Sequence, residues 1–430
     1  MAFSSGLPKT LVVIFMLALM LRILFVVIHQ RPLFSDQREY DSLAFTLSES
    51  GEYQKNGEPT AYRPVGYPMF LAVSYKLFGH RPLISLLLQA VIDTLTGLLL
   101  YFTALPKGQR VALTAASFWL VYPPAILYSA LLLSEAITAF LLVLTAFLFR
   151  CVLESSKSWF PVALGLSLGT LSLIKPWMAF FAILVIGVTL LSGTSFRKIA
   201  VAIGAFLLVI LPWMIRNSIT MGTMTLSTNS GMNLYIGNNP SATGGYRSIS
   251  SESFQEEDEV LLNKKAFGAG LHYMVENPGT FFVLGLKKLA HLFRSEGEVL
   301  VWSFASSPWD SAIPFSEKYR SLPISLVTIV NGGYIILLLT GLFGLFLSDN
   351  DIILRYFVIF FLLTILVHFV FFGGSRFHFP LMPFFALYSG EAVTMRKNDL
   401  QRLVLWKKAA LSSFIFLLIV LWTYEFTVTF

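Results

Sequence analysis

Apolar runs of about twenty residues alternate along this chain with short polar breaks and two long polar stretches. A membrane-crossing helix needs about 20 apolar residues. By that measure about eleven runs qualify: 9–29, 83–105, 110–128, 131–152, 159–175, 177–193, 197–216, 326–347, 352–372, 377–394 and 408–427. Between 110 and 193 the runs nearly touch. Pro123-Pro124 and Lys175-Pro176 mark the breaks there, because proline interrupts the helical hydrogen-bond ladder. The pattern predicts an all-α membrane protein with one polytopic domain over 1–430. The first run, Lys9 to His29, is longer than a signal-peptide core and is followed by no small-residue cleavage site, so it is expected to be a retained span. No internal repeat is visible, which argues against a transporter built from inverted halves.

Two polar stretches, 30–82 and 217–325, are too long for connectors, and loops of that size usually carry function. The first looks helical from Asp41-Ser42-Leu43-Ala44 onward and then becomes rich in Gly and Pro. The second holds a turn region, GMNLYIGNNPSATGGY, an acidic run from Glu256 to Glu259, and a helical stretch from about Phe281 to Phe293. Lys287 and Lys288 lie beside apolar residues there, so that stretch is expected along the membrane interface.

Short-loop charge sets the expected orientation. Lys107, Arg110, Arg150, Lys157, Arg197, Lys198, Arg355, Arg396, Lys397, Arg402, Lys407 and Lys408 fall on one side if the runs alternate. That side is expected to be cytoplasmic and to carry the N-terminus, which places both long loops outside. Composition agrees: 56% of the 430 residues are hydrophobic and only 13% charged, against roughly 25% charged in soluble domains. The net charge of +7 is scattered between apolar runs and forms no aromatic-basic patch, so nucleic acid is not an expected partner. The single cysteine, Cys151, excludes a disulfide framework within the chain, and the six histidines show no metal-site spacing. No Asn-x-Ser/Thr sequon occurs, since Asn239 precedes Pro240. This fits a bacterial inner membrane.

Several charged residues fall at the expected external ends. Asp36 follows the first span, and is either a solvated loop carboxylate or a base for an acceptor hydroxyl. YRPVGYP, residues 62–68, fixes a rigid turn that presents Arg63 at headgroup depth. Arg63 is there either an interfacial anchor or a phosphate holder, since guanidinium matches phosphate oxygens. Glu135 opens a span in LLLSEAIT, where a carboxylate either meets the helix dipole or faces a wet cavity. Lys175-Pro176 and SRFHFPLMP, with Arg376 and His378, put cations on the side poor in them, which an anionic ligand would explain. Deeper in the runs, Arg22 and Asp93 should not face lipid; they either pair with each other or with Gln89 as structural elements of the bundle, or belong to a proton pathway. There is no Walker loop, dinucleotide glycine fingerprint or recognisable Ser/His/Asp arrangement. An external enzyme without nucleotides needs a membrane-crossing activated donor. A sugar on a polyprenyl phosphate is one, and its leaving group calls for cations more than for a general acid.

In order and spacing these motifs resemble glycosyltransferase family 39, the GT-C fold group that includes protein O-mannosyltransferases and the aminoarabinose transferase of lipid A. The resemblance runs through DQREYDSLAFTLSESGEY (36–53), residues 62–71, Ser134-Glu135, Lys175-Pro176, Pro212-Trp213 with Arg216-Asn217, Asn233 to Pro240, and Arg376 to Pro380. It implies a GT-C type bundle of about eleven spans with interfacial helices on two external loops. It also implies transfer of a sugar from a polyprenyl-phosphate donor to a hydroxyl acceptor by direct displacement with inversion. Asp36 would be the base and Glu135 the second acidic position. Arg63, Lys175, Arg376 and His378 would bind the donor phosphate. Tyr40, Tyr62, Asn238 and Asn239 would lie near the acceptor or sugar. No cofactor is implied, and no metal site is indicated. The first acidic motif reads Asp-Gln where the family has Asp-Glu, and Arg63 stands where the lipid A enzymes more often have Lys. The soluble C-terminal domain of those enzymes and the β-rich insertion of the mannosyltransferases have no counterpart in the 430 residues. These departures bear on the acceptor rather than on the reaction. Two other readings stay open: a flippase or transporter of a lipid-linked glycan, and a polymerase or ligase using a lipid-diphosphate donor.

Overall fold

A computed structural model of the chain describes residues 7–249, 254, 258–308, 310, 312–349, 351–395 and 404–429. Its elements, in chain order, begin with α1 (Lys9–Ile28) and α2 (Ser35–Ser50), followed by a hairpin of β1 (Gln54–Lys55) and β2 (Glu58–Pro59) and then α3 (Gly66–Phe78). The first half of the bundle is α4 (Pro82–Ala104), α5 (Gln109–Leu120), α6 (Pro123–Ser129), α7 (Glu135–Glu154), α8 (Trp159–Ile174), α9 (Met178–Leu191) and α10 (Phe196–Met221). The second loop carries α11 (Ser230–Gly237), α12 (Glu259–Glu276), α13 (Pro278–Leu292), α14 (Gly297–Phe304) and α15 (Phe315–Arg320). The chain then re-enters the bundle with α16 (Ile324–Leu347), α17 (Ile352–Val370), a 3-10 turn (Ser375–Leu381), α18 (Met382–Thr394) and α19 (Leu405–Thr429).

All eleven apolar runs fold as helix, but not all at spanning length. Among the described residues, seven helices (α1, α4, α7, α10, α16, α17 and α19) are long and apolar enough to cross a membrane. The number becomes eight if α5 and α6, bent by 53° at the Pro123-Pro124 break, count as one. The protein is thus a multi-pass, all-α membrane protein. The expected spans at 159–175, 177–193 and 377–394 shorten to 16, 14 and 13 helical residues. At 1.5 Å per residue even the longest of these reaches only about 24 Å, against a hydrocarbon core of about 30 Å. The shortest, α18, packs along α16 and α5 with residues 382–390 all buried, so protein rather than lipid surrounds that part.

Ionic contacts sort the helix ends into two groups. At one end Lys107 pairs with Asp351 and, at 2.7 Å, with Glu391. Arg150 donates to the Phe102 and Thr103 carbonyls, and Lys198 to those of Val152 and Ser155. These are the cations expected on the basic side. Arg396, Lys397 and Arg402, and the acidic residues Glu256 and Glu257, lie outside the described residues. The two long loops gather at the opposite end.

Between the ends, Arg22 Nε donates to Asp93 Oδ2 at 2.7 Å, with both side chains fully buried. Gln89, the other expected partner, instead accepts from the Tyr67 hydroxyl and donates to the Tyr128 and Leu131 carbonyls. The aromatic core near this level includes Trp119, Tyr128, Phe357 and Phe379.

Two loop features differ from expectation. The helix expected from Asp41 begins at Ser35, so Asp36 lies in its first turn, where a negative charge meets the positive end of the helix dipole. Lys288, expected at the membrane interface, is fully buried. It donates to Asn238 Oδ1 at 2.8 Å and to the Val370 carbonyl at 2.9 Å, and so clamps the second loop to the end of α17.

Candidate functional site

A cavity of about 300 Å³ opens at the loop end, and five of the singled-out charged residues line it: Asp36, Arg63, Glu135, Lys175 and Arg376. They arrive on five separate segments. Asp36 comes from the first turn of α2 and Glu135 from the first turn of α7. Lys175 caps α8, and its backbone N–H closes that helix on the Leu171 carbonyl. Arg63 belongs to the turn before α3, where the Tyr53 hydroxyl donates to its carbonyl at 2.9 Å. Arg376 sits in the 3-10 turn. Gly66 is what lets the Arg63 turn approach Lys175. A Cβ there would lie 2.7 Å from the Leu173 carbonyl carbon, so only glycine allows α3 to start against the end of α8.

The two arginines meet on Asp36. Arg63 Nη2 donates to Oδ1 and Arg376 Nη1 to Oδ2, each at 2.7 Å, across 27 and 340 positions of sequence. Arg63 Nε also donates to Glu39 Oε2 at 2.5 Å, and Glu39 in turn accepts from Lys55 at 3.0 Å. Arg63 lies over the rings of Tyr40 and Tyr62, and Arg376 over those of Trp302 and Phe377. These stacks hold the guanidinium groups while the side chains stay partly exposed, at 21% and 18%. Burial alone would raise the Asp36 carboxyl. Arg376 and Arg63 outweigh it and hold the carboxyl well below the usual carboxylate range. The same pairing raises both guanidinium values against the opposing effect of burial. The Tyr40 phenol is pushed up to about 12, chiefly by burial, and so stays neutral.

Both oxygens of Asp36, the expected base, accept from guanidinium groups. Glu135 is differently placed. Its Oε1 accepts from Lys175 Nζ at 3.3 Å, while its Oε2 is buried without a hydrogen-bond partner among the described residues. A buried unpaired carboxylate oxygen is expensive, and one beside a cavity is available to a ligand hydroxyl.

Tyr40 and Tyr62 also line the cavity. Three other expected residues do not. His378 is fully buried, stacked on Tyr334, with Nδ1 2.7 Å from the Leu292 carbonyl and Nε2 3.0 Å from Glu296 Oε1. Both of its nitrogens are used inside the protein, so it cannot hold a phosphate in the cavity. Asn238 and Asn239 fold back on their own turn. Their amides donate to the Leu234 and Val370 carbonyls and to the Tyr235 carbonyl respectively, which makes them supports for the cavity wall rather than contacts for a sugar. Arg216, from another of the motifs, donates to the Thr60 and Tyr53 carbonyls and ties the first loop to α10.

Two lining residues escaped the sequence reading. Glu298, on α14, accepts from the Arg376 backbone N–H at 3.1 Å. His368, in the last turn of α17, also lines the cavity. For His368 a signal existed, since an ionisable residue in an apolar run is a functional candidate by default. Glu298 follows Arg294, Ser295 and Glu296 in a polar part of the second loop, and only the fold marks it. Apolar walls from Ile174, Met178, Val367 and Phe371 complete the cavity. Among the described residues no group of three or more His, Cys, Asp or Glu is placed to hold a metal ion.

Residues 62–215 match the family described as dolichyl-phosphate-mannose-protein mannosyltransferase. The resemblance read from the motifs is borne out over that segment, which carries Arg63, Glu135 and Lys175. Asp36, Glu298, His368 and Arg376 lie outside the matched stretch. The chain is also similar to the crystal structure of ArnT from Cupriavidus metallidurans bound to undecaprenyl phosphate. Identity is 14%, with 89% of this chain and 77% of that one covered and a TM-score of 0.47. Against the apo state of the same protein the coverage and identity are equal and the TM-score is 0.44. No curated protein sequence matches the chain.

Proposed function

We propose that this protein is a membrane glycosyltransferase that moves a sugar from a polyprenyl-phosphate donor to a hydroxyl acceptor. The observation that carries the reading is the convergence of Arg63 and Arg376 on one carboxylate in a cavity that also holds Lys175 and Glu135. Three cations at one site match a phosphate monoester leaving group. In a cavity screened from bulk water they stabilise its developing charge far more than they would in solution. The donor phosphate sits among Arg63, Lys175 and Arg376 with its prenyl chain toward the apolar wall. The acceptor oxygen attacks C1 from the opposite side as the C1–O bond breaks. The electron pair leaves on the phosphate, and the anomeric centre inverts. Asp36 serves as the organiser of the two arginines, and Glu135 positions Lys175 while offering its free oxygen to a sugar or acceptor hydroxyl.

The strong basic bias of the other helix ends supports placing the cavity on the external face of a bacterial inner membrane. The family match over 62–215 supports the donor class. A direct test incubates the purified full-length protein with undecaprenyl phosphate carrying labelled mannose, galactose, glucose or 4-amino-arabinose, together with membranes that supply acceptors. Transfer of label with release of undecaprenyl phosphate is the expected result, lost in Arg63→Ala. Binding of the lipid without turnover of any donor would favour the carrier reading instead.

A further inference from the structure

We propose that α14 reads the sugar of the donor through Glu298 and Trp302, an inference that rests on the glycosyl transfer proposed above. The two residues are four positions apart on α14, so they share one face of the helix, a turn from each other. Both line the cavity. Glu298 Oε2 accepts from the Arg376 backbone N–H at 3.1 Å, while Oε1 has no hydrogen-bond partner among the described residues. The Trp302 indole N–H has none among them either. One face of α14 thus brings to the cavity a hydrogen-bond acceptor and a donor, which two hydroxyls of a sugar ring can satisfy together.

Space is kept for the free oxygen. A Cβ at Gly374 would lie 2.9 Å from Glu298 Oε1, so a side chain there would displace the carboxylate. The helix around it is fixed at both ends. At its start the Glu296 backbone N–H donates to Asn331 Oδ1 at 2.8 Å, and at its end Arg31 donates to the Phe304 carbonyl at 3.2 Å. Hydrogen-bonding groups held in place before a ligand arrives cost less to order when it binds.

Placement selects the sugar as the occupant. The Arg376 guanidinium, one of the three cations facing the donor phosphate, lies over the Trp302 ring at 5.3 Å. The phosphate carries two substituents. Its prenyl chain takes the apolar wall of Ile174, Met178, Val367 and Phe371, which leaves the sugar to the wall formed by α14. The other two carboxylates of the cavity are spent on cations, Asp36 on Arg63 and Arg376 and Glu135 on Lys175. Glu298 forms no ion pair among the described residues. Its charge is therefore free for hydroxyl hydrogens, and such charge-assisted hydrogen bonds are about twice as strong as neutral ones.

Binding measured with and without the sugar isolates these contacts and needs no turnover. The purified full-length protein in detergent is titrated with bare undecaprenyl phosphate and with undecaprenyl phosphate carrying mannose, galactose, glucose or 4-amino-arabinose. The sugar-bearing lipid that the wild type holds tightest is then taken to the variants. A wild type that holds the bare lipid but none of the sugar-bearing ones overturns the proposal. A protein that binds neither kind of lipid overturns the transfer reading itself.

Glu298→Gln keeps a carbonyl oxygen for the Arg376 N–H and exchanges the free oxygen for an amide nitrogen. It should weaken the chosen sugar-bearing lipid by about tenfold or more, with bare undecaprenyl phosphate held within about twofold of wild type. Trp302→Phe keeps a ring beneath the Arg376 guanidinium and removes only the N–H. It should weaken the same lipid by about threefold and leave the bare one alone. Equal losses for both lipids would mean that α14 only supports Arg376, and the proposal fails. It fails also if Glu298→Gln binds the sugar-bearing lipid as the wild type does.

Discussion

Arg22 with Asp93, and Arg376 with Asp36, are arginine–aspartate couples of the same 2.7 Å length in two regions of one bundle. In the deep couple both side chains are fully buried. Arg22 spends its other donors on backbone carbonyls, including Leu120 at 2.8 Å, and the Trp119 indole N–H donates to the Asp93 carbonyl. In the cavity couple the aspartate holds a second arginine, and the guanidinium faces rest on aromatic rings with 14–21% of each side chain open. The difference lies in what the remaining hydrogen-bond capacity meets. Where backbone carbonyls take up the arginine's other donors, the pair fixes how α1, α4 and α5 pack, with Asp93 Oδ1 left without a partner among the described residues. Where it meets a cavity, the guanidinium groups stay partly open beside Lys175 and Glu135.

If that contrast is right, the two couples should fail in opposite ways. Arg376→Ala should lower sugar transfer by about 10³-fold, roughly the effect of removing one charge-stabilising donor. Its thermal midpoint in detergent should stay close to wild type. A collapsed midpoint with normal activity per folded molecule would erase the contrast. Arg22→Leu should instead destabilise the fold by about 3–5 kcal/mol, because it strands Asp93 in the interior. Adding Asp93→Leu should recover most of that loss, which fluorescence-detected size exclusion after heating would read.

Smaller effects sharpen the comparison at Asp36. Asp36→Asn frees two guanidinium groups and removes a negative charge from the site. Undecaprenyl phosphate should therefore bind a few-fold tighter, even as turnover falls because the arginines lose their organiser. Weaker binding would mean that the carboxylate helps the cations hold phosphate. The smallest effect concerns acid. Asp36 titrates lower in the folded protein than its ordinary value of about 3.9. Its stabilising contribution is complete above that value and is lost as pH falls toward the depressed one. Between about pH 5 and pH 3 the wild-type midpoint should drop further than that of Asp36→Asn.

Much of this architecture was legible in the chain, for reasons that differ by element. The spans from 9, 83, 197, 326 and 352 were readable because lipid demands a local property, an unbroken apolar length. The shortening at 159–174, 178–191 and 382–394 was not, since an apolar run does not record where its helix ends. The hairpin went unread although Asn56 and Gly57 both take positive φ, the signature of a two-residue turn announced by Asn-Gly. At the site, Asp36, Arg63, Glu135, Lys175 and Arg376 stood out because charge is rare beside such runs. His378, Asn238 and Asn239 stood out equally and proved to be internal supports. Neighbouring sequence does not record whether a polar group is satisfied by its own fold.

The sequence alone determined that this chain lives in a membrane, where its polar loops fall and which charged residues are few enough to matter. Hydrophobic length and charge are properties of consecutive residues. Only the tertiary structure decided which of those charges meet. It joined Arg376 to a carboxylate 340 positions away, gave Lys288 to the loop clamp and turned the His368 ring toward the cavity. Hydrogen bonds act over about 3 Å of space, and the residues that close such a gap are set by how the helices pack.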